Sequence, residues 1–209
     1  MSKCCAESRL PKNSMTLTGQ GQVSASPDLA VVHLGVQTAG YDLTAMQREN
    51  ARKIEAVIQA LQGIDVSDIN TLQYSIDKNF IYENGNQIDR GYTITNILEV
   101  RTDRIDKVGM VIDTAVSVGA NRVELIVFDL SDRGYYYRQA LNLALDDAQQ
   151  KARSISRNLG RQADPIPIRI IEDNAFPIQP LQLQREAVGT PIMPGDLLIK
   201  ASVTAEFLY

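Results

Sequence analysis

The chain of 209 residues contains no tryptophan, one histidine and two cysteines. With only His33 present, any metal or catalytic site that needs two imidazoles is excluded. Two cysteines exclude a disulfide-stapled scaffold. Because Cys4 and Cys5 are adjacent, they cannot act as a C-x-x-C pair. We predict no metal and no cofactor, and the sequence leaves the role of the two thiols open.

Long apolar runs and an excess of basic charge are also missing. Residues 1–14 hold no apolar run of about 7–15 residues, the core of a secretory signal. No stretch approaches the ~18 residues of a membrane span. The sequence therefore predicts a cytoplasmic protein without a membrane span, with a flexible tail over 1–14. Twenty-five acidic against 21 basic residues give a net charge of −4, which argues against a nucleic-acid partner.

Strand and helix patterns alternate through the first half of the chain. Apolar and polar residues alternate over 15–23 and 30–36, which predicts strands with one buried face. Helical spacing follows over 43–61, from an expected N-cap at Asp42 to a stop at Gly63.

A long hairpin is predicted over 72–100, because two alternating stretches flank Asn84-Gly85, a dipeptide that tolerates the positive φ values of a tight turn. A second helix is expected between Thr102 or Asp103 and Gly119. The apolar stretch 123–130 then predicts a strand covered on both faces.

The C-terminal part predicts a long helix and two further strands. The helix covers 132–159, about 40 Å at 1.5 Å per residue, with Asp132 or Ser131 as its N-cap. A strand follows over 166–170, where flanking prolines favour a sheet edge, and the last strand covers 197–207.

The order ββαββαβαββ predicts a single α+β domain over 15–209, with helices on one face of a mostly antiparallel sheet. A long proline-containing loop, 173–195, interrupts it without a clear period. This loop has too many apolar residues for a solvated linker. We therefore expect it to dock on its own sheet or on a neighbour's.

Three consecutive tyrosines form the most unusual cluster. Tyr135, Tyr136 and Tyr137 cover about 200° of a helix at 3.6 residues per turn, so at least one ring should be exposed or lie in an interface. The candidate interface residues are these tyrosines and three apolar residues of the loop: Tyr135, Tyr136, Tyr137, Phe176, Leu181 and Leu183.

No catalytic residue is predicted. His33 lies in the middle of a strand and has no nucleophile motif near it. Gly19-Gln20-Gly21 precedes a turn and a strand rather than a helix, so a bulged or closely packed strand is favoured over a phosphate loop. Asp146 and Asp147 point about 100° apart on a helix, and with Lys151 and Arg153 close by, ion pairing along the helix is favoured over a metal site.

Several short segments carry a resemblance through their order and spacing rather than through one signature. They are Thr18-Gly19-Gln20-Gly21 before Pro27-Asp28, Asp68-Ile69-Asn70-Thr71, Gly91-Tyr92, Val108-Gly109, Gly119-Ala120-Asn121, Lys151-Ala152 through Leu159-Gly160, and Pro194-Gly195. Over 15–209 the chain resembles the SIMPL-domain family of bacterial proteins. That family includes the periplasmic immunogenic protein of pathogens and a protein linked to oxidative-stress defence.

The resemblance implies an α+β fold without established catalytic residues, and one known member assembles into a large hollow homo-oligomer. Many relatives look exported, and we expect this chain to depart from them, because residues 1–14 hold no apolar run. We expect a non-enzymatic, self-associating binding or stress-response-related module whose partner is a copy of itself. The alternative is a small-ligand-binding protein or an unrecognised enzyme, with a cleft between the 72–100 hairpin and the long helix.

Overall fold

A computed structural model describes residues 13–83, 86–161, 165–173 and 194–209. Within these residues, strands and helices follow one another as ββαββαβαββ, in the predicted order. The strand pairs are antiparallel, so the predicted α+β class is confirmed.

The strands are β1 (Ser14–Ala25), β2 (Leu29–Gly40), β3 (Asp68–Glu83), β4 (Asn86–Thr102), β5 (Arg122–Asp129), β6 (Ile166–Glu172) and β7 (Leu197–Leu208). The helices are α1 (Leu43–Gln62), α2 (Val108–Ser117) and α3 (Arg133–Asn158). A 3-10 turn at Ile105–Lys107 precedes α2, so this helix begins later than predicted.

The strands divide between two sheets, ordered β1-β7-β6 and β3-β4-β2-β5, where the pattern predicts one. The reason is long-range pairing: β1 pairs along its whole length with β7, from Ser14 opposite Leu208 to Ala25 opposite Leu197. The chain accordingly forms two compact units. The first unit holds the three-stranded sheet and α3; the second holds the four-stranded sheet, α1 and α2. The single domain over 15–209 stays a prediction.

In the first unit, α3 packs so closely on β1 that the backbone of the helix contacts the backbone of the strand. A Cβ atom placed on Gly19 would be 1.9 Å from the carbonyl oxygen of Ala144, and one on Gly21 would be 2.0 Å from that of Ala140. Facing the sheet, the helix presents fully buried alanines four residues apart: Ala140, Ala144, Ala148 and Ala152. The predicted close packing of Gly19-Gln20-Gly21 is thus confirmed.

In the second unit, α1 and α2 cover one face of the four-stranded sheet. The buried core includes residues from both layers: Val32, Leu34, Val36, Val57, Leu61, Leu98, Val100, Val108 and Val111. Asp42 caps α1, because its carboxylate accepts from the backbone N–H of Ala45 at 3.0 Å. The same type of bond, from Tyr135 N–H at 2.8 Å, makes Asp132 the cap of α3.

Three sequence predictions about strands meet different outcomes. The hairpin is confirmed, since β3 and β4 pair from Asp68 opposite Arg101 to Glu83 opposite Asn86. Strand β6 lies at a sheet edge, as its prolines predict. The prediction that 123–130 is covered on both faces is wrong: Ile126 and Phe128 of β5 pack on the core, whereas Val123 is exposed. The reason is that α1 and α2 cover one face of this sheet, of which β5 is an edge strand.

Replacing Gly21 with alanine should force α3 away from β1 and lower the free energy of unfolding by about 1–3 kcal/mol, the usual cost of overpacking. Chemical denaturation of both proteins measures this difference. Gly134→Ala is the control on α3, because a Cβ there would lie 3.2 Å from Nη1 of Arg138 and 3.3 Å from Oδ1 of Asp132, both side-chain ends rather than backbone, and an exposed helix position favours alanine. Equal stability of the Gly21 variant and wild type would contradict the close contact.

Candidate interaction surface

Each sheet has two edge strands, β1 and β6 in the first unit and β3 and β5 in the second. An edge strand presents backbone N–H and C=O groups that no neighbouring strand satisfies, and these groups can pair with another chain unless something covers them. The four edges differ in the side chains that bond their backbone groups and in the apolar residues that they expose.

The edge of β1 is covered by two side chains of α3. Asp147 Oδ2 accepts from the backbone N–H of Gln20 at 2.9 Å, and Lys151 Nζ donates to the carbonyl oxygen of Thr18 at 3.0 Å. The two side chains also pair with each other at 2.7 Å. Hydrogen bonds from Lys151 and from the Gln20 backbone hold the pKa of Asp147 below its ordinary value.

The predicted ion pairing of the helical aspartates is confirmed for Asp147, whose partner is Lys151, four residues further along α3. The contact with β1 has no signal in the sequence, because it depends on how closely α3 approaches the strand. On β2, backbone groups beyond the start of β5 are bonded by a side chain in a similar way. The Asn121 side chain accepts from Gln37 N–H at 2.7 Å and donates to Gln37 O at 2.8 Å, like one more residue of a ladder.

The other edges carry exposed apolar side chains. Of the twenty-one large hydrophobic residues that are exposed in the described part of the chain, five lie on β3, two on β5 and four on β6. Those on β6 are Ile166, Ile168, Ile170 and Ile171, and those on β5 are Val123 and Leu125. Strand β1, which is described throughout, carries none of them. Apolar exposure is therefore concentrated on the edges other than β1.

Strand β3 has no buried residue along its sixteen positions. Its exposed apolar residues are Leu72, Tyr74, Ile76, Phe80 and Tyr82. Lys78 lies on the same strand, with Nζ 3.0 Å from Asp89 Oδ2 and 5.8 Å from the centre of the Tyr92 ring.

The three consecutive tyrosines point to different surroundings. Tyr135 is exposed and packs edge-on against Tyr136, with ring centres 5.2 Å apart. Tyr137 Oη donates to Glu172 Oε1 of β6 at 2.6 Å, and this hydrogen bond raises the pKa of Tyr137 to about 12. The expectation of at least one exposed ring is confirmed. Their role in an interface stays a prediction.

The remaining candidate interface residues, Phe176, Leu181 and Leu183, lie outside the described residues, as does most of the 173–195 loop. The alternative of a cleft between the hairpin and the long helix stays a prediction too. The hairpin, β3 and β4, belongs to the second unit and the helix, α3, to the first.

His33 lies on β2 with Nε2 3.3 Å from Glu99 Oε2, and Arg101 binds the other oxygen of that carboxylate at 2.9 Å. Over the described ranges, no group of three or more histidine, cysteine, aspartate or glutamate side chains could hold a metal ion. No helix in the same part of the chain is both long and apolar enough to cross a membrane.

Comparison with known proteins places most of the chain in one family. Residues 15–207 match the family model described as SIMPL, a protein of unknown function (DUF541). The uncharacterized protein YggE of Escherichia coli K12 is 22% identical over 189 residues, which are 89% of this chain and 76% of that protein. The 26 kDa periplasmic immunogenic protein of Brucella melitensis is 26% identical over 216 residues, covering 92% of this chain and 83% of the relative.

The family resemblance read from the sequence is confirmed. The predicted cytoplasmic location is wrong, since the Brucella relative is named a periplasmic protein. That prediction depended on the absence of an apolar run in the first residues, which carries no information about location. The family has no established function, so neither enzyme activity nor its absence is indicated. A part in stress response stays a prediction.

Replacing Asp147 with alanine should remove the acceptor for Gln20 N–H and lower the free energy of unfolding by about 1 kcal/mol, a modest value for a half-exposed charged bond. Because the folded pKa of Asp147 is lowered, its contribution is present above 3.8 and lost as the pH falls through the folded value. Denaturant titrations at neutral and acid pH measure the difference. Asp146→Ala, which removes the same charge one position away, is the control and should cost less at neutral pH.

The phenol of Tyr137 should ionise well above the ordinary tyrosine value of 10, near pH 12, because the Glu172 carboxylate accepts its proton in a hydrogen bond and so raises the pKa. The bond therefore stabilises the fold below the ordinary value of 10 and is lost as the pH rises toward 12. The absorbance of phenolate after rapid pH jumps measures the ionisation near pH 12. This ionisation should be missing in Tyr137→Phe and present in Tyr136→Phe. If it were present in both variants, its assignment to Tyr137 would be contradicted.

Proposed function

The chain belongs to the SIMPL family, and from this premise we propose that it is a self-associating binding module that performs no bond-breaking reaction. Its partner is a copy of the same chain, and its contacts are made through the open edges of its sheets. The name of the Brucella relative supports a periplasmic location for this module.

The contrast between the sheet edges carries the proposal. Two backbone groups at the edge of β1, Gln20 N–H and Thr18 C=O, are bonded by Asp147 and Lys151, and the strand exposes no large apolar side chain. The other edges, β3, β5 and β6, expose eleven such side chains. Edge strands that remain in solvent are usually protected by charged side chains or by a covering element. Because β3, β5 and β6 instead expose apolar side chains, these edges are suited to contact with protein.

Simple energetics favour an assembly that uses several edges at once. Burying a half-exposed isoleucine gains about 1 kcal/mol, so the four isoleucines of β6 supply roughly 4 kcal/mol. Association costs about 4–15 kcal/mol in lost translational and rotational freedom. One edge therefore gives a weak contact, and two or more edges acting together give a stable one.

Light scattering of the full chain at micromolar concentration tests the proposal. We expect a mass that is a multiple of the 23.1 kDa of one chain, since burial of the apolar edges drives association. The double variant Ile171→Lys/Leu125→Lys places charges on β6 and β5 and should shift the distribution toward smaller species.

The matched control is Thr16→Lys, which adds a charge to an exposed position of β1, the protected edge, and should leave the mass unchanged. A monomeric wild-type chain across the micromolar range would overturn the proposal. Dissociation by the control as strong as that caused by the double variant would overturn the role assigned to the open edges.

A further inference from the structure

We propose that the free edge of β3 pairs antiparallel with β3 of a second copy, about a two-fold axis that passes midway between the two copies of Ile76. This inference rests on the proposed function and adds to it a particular strand, partner and register. Three observations support it: an incomplete apolar face, an uninterrupted strand segment, and a sequence that is complementary to itself.

The apolar face of the sheet is incomplete at β3. Opposite residues of an antiparallel pair share one face of the sheet, and Ile76 lies opposite Ile94, while Tyr74 lies opposite Asn96. Ile94 is 0% exposed, whereas Ile76 is 39% and Tyr74 51% exposed. The apolar layer thus continues onto β3, which is the last strand on this side of the sheet among the described residues. A strand added beyond β3 would cover both side chains.

The central part of β3 is regular enough to accept that strand. Register shifts interrupt the pairing with β4 between Thr71 and Gln73 and again between Lys78 and Phe80. Residues 73–78 between them pair without interruption. Among the described residues, no hydrogen bond from another element reaches the outer backbone of this segment, in contrast to the covered edge of β1.

The segment is complementary to itself when two copies pair at Ile76. A two-fold axis perpendicular to the sheet then places Tyr74 opposite Lys78 of the partner subunit and Ser75 opposite Asp77 of the partner subunit. The first pair joins an ammonium group to an aromatic ring, and the second joins a hydroxyl donor to a carboxylate acceptor. Ser75 Oγ already donates to Asp77 Oδ2 within one strand, at 3.0 Å, so both groups lie on one face.

The neighbouring registers are less favourable. Centring the axis on Asp77 places two carboxylates opposite each other, and centring it on Lys78 places two ammonium groups together; like charges directly opposite are destabilising. Centring it on Ser75 moves Lys78 opposite Leu72, which lies in the irregular part of β3. The Ile76 register alone gives each charged residue a complementary partner within the regular segment.

Disulfide trapping tests strand, partner and register together. Opposite Cα atoms in an antiparallel pair lie about 4.5–5.5 Å apart, within the range of about 4.4–6.8 Å that a disulfide spans. In a full chain carrying Cys4→Ser and Cys5→Ser, the variant Ile76→Cys should form a covalent dimer as the main species under mild oxidation. Non-reducing electrophoresis measures the yield, and light scattering of the reduced protein measures the native mass.

Two other single-cysteine variants in the same background are the controls. Ser75→Cys reports the neighbouring register, and Ile170→Cys reports a residue on β6 that is more exposed than Ile76; both should give at least tenfold less covalent dimer. Linkage of Ser75→Cys in preference to Ile76→Cys would overturn the register and with it the proposal. Linkage of Ile76→Cys no greater than that of Ile170→Cys would overturn the pairing through β3.

The native mass separates this inference from the proposed function. An oligomeric chain in which Ile76→Cys fails to link disproves the β3 pairing and leaves self-association intact, whereas a monomeric chain disproves both. Ile76→Lys supplies a second measurement, because it places two ammonium groups on the two-fold axis. The variant should fold, since the residue is partly exposed, and should raise the dissociation constant at least tenfold; an unchanged constant would overturn the pairing.

Discussion

The contact between α3 and β1 is the constraint on which the first unit depends. Gly19 and Gly21 have no side chain to separate the strand from the helix, and the buried alanines of α3 have the smallest side chains that still favour a helix. Only at this short distance can Asp147 and Lys151, one turn apart on the helix, reach backbone groups at the edge of β1. Close packing and protection of the edge are therefore one arrangement rather than two.

The difference between protected and open edges suggests how the molecule divides its surface. Charged side chains of the same chain bond two backbone groups at the edge of β1, and the amide of Asn121 bonds the backbone of Gln37 on β2. Strands β3, β5 and β6 instead present apolar residues. The family to which the chain belongs has no established activity, and a surface of this kind fits a protein that works by contact with copies of itself.

The candidate surface was only partly predictable. Helical spacing predicts that the aspartates of α3 form ion pairs, because such contacts are local, but it predicts neither the particular pair of Asp147 with Lys151 nor that both side chains reach β1. Geometry of a helix predicted that one tyrosine of the cluster is exposed, yet not that Tyr137 bonds Glu172, which lies 35 positions away. The stretch 123–130 was misread, since an apolar strand can be buried centrally or left open at an edge, and periodicity does not separate the two.

Local patterns in the sequence determined the α+β class, the order of the ten main elements and the cap at Asp42, and they limited the cap of α3 to Asp132 or Ser131, because each depends on residues within a few turns of one another. Only the tertiary structure decided that β1 pairs with β7, that the strands form two sheets and which strands lie at the edges. The pairing of β1 with β7 joins residues from opposite ends of the chain. Such pairings depend on which surfaces pack together, and the periodicity of a short segment does not predict that.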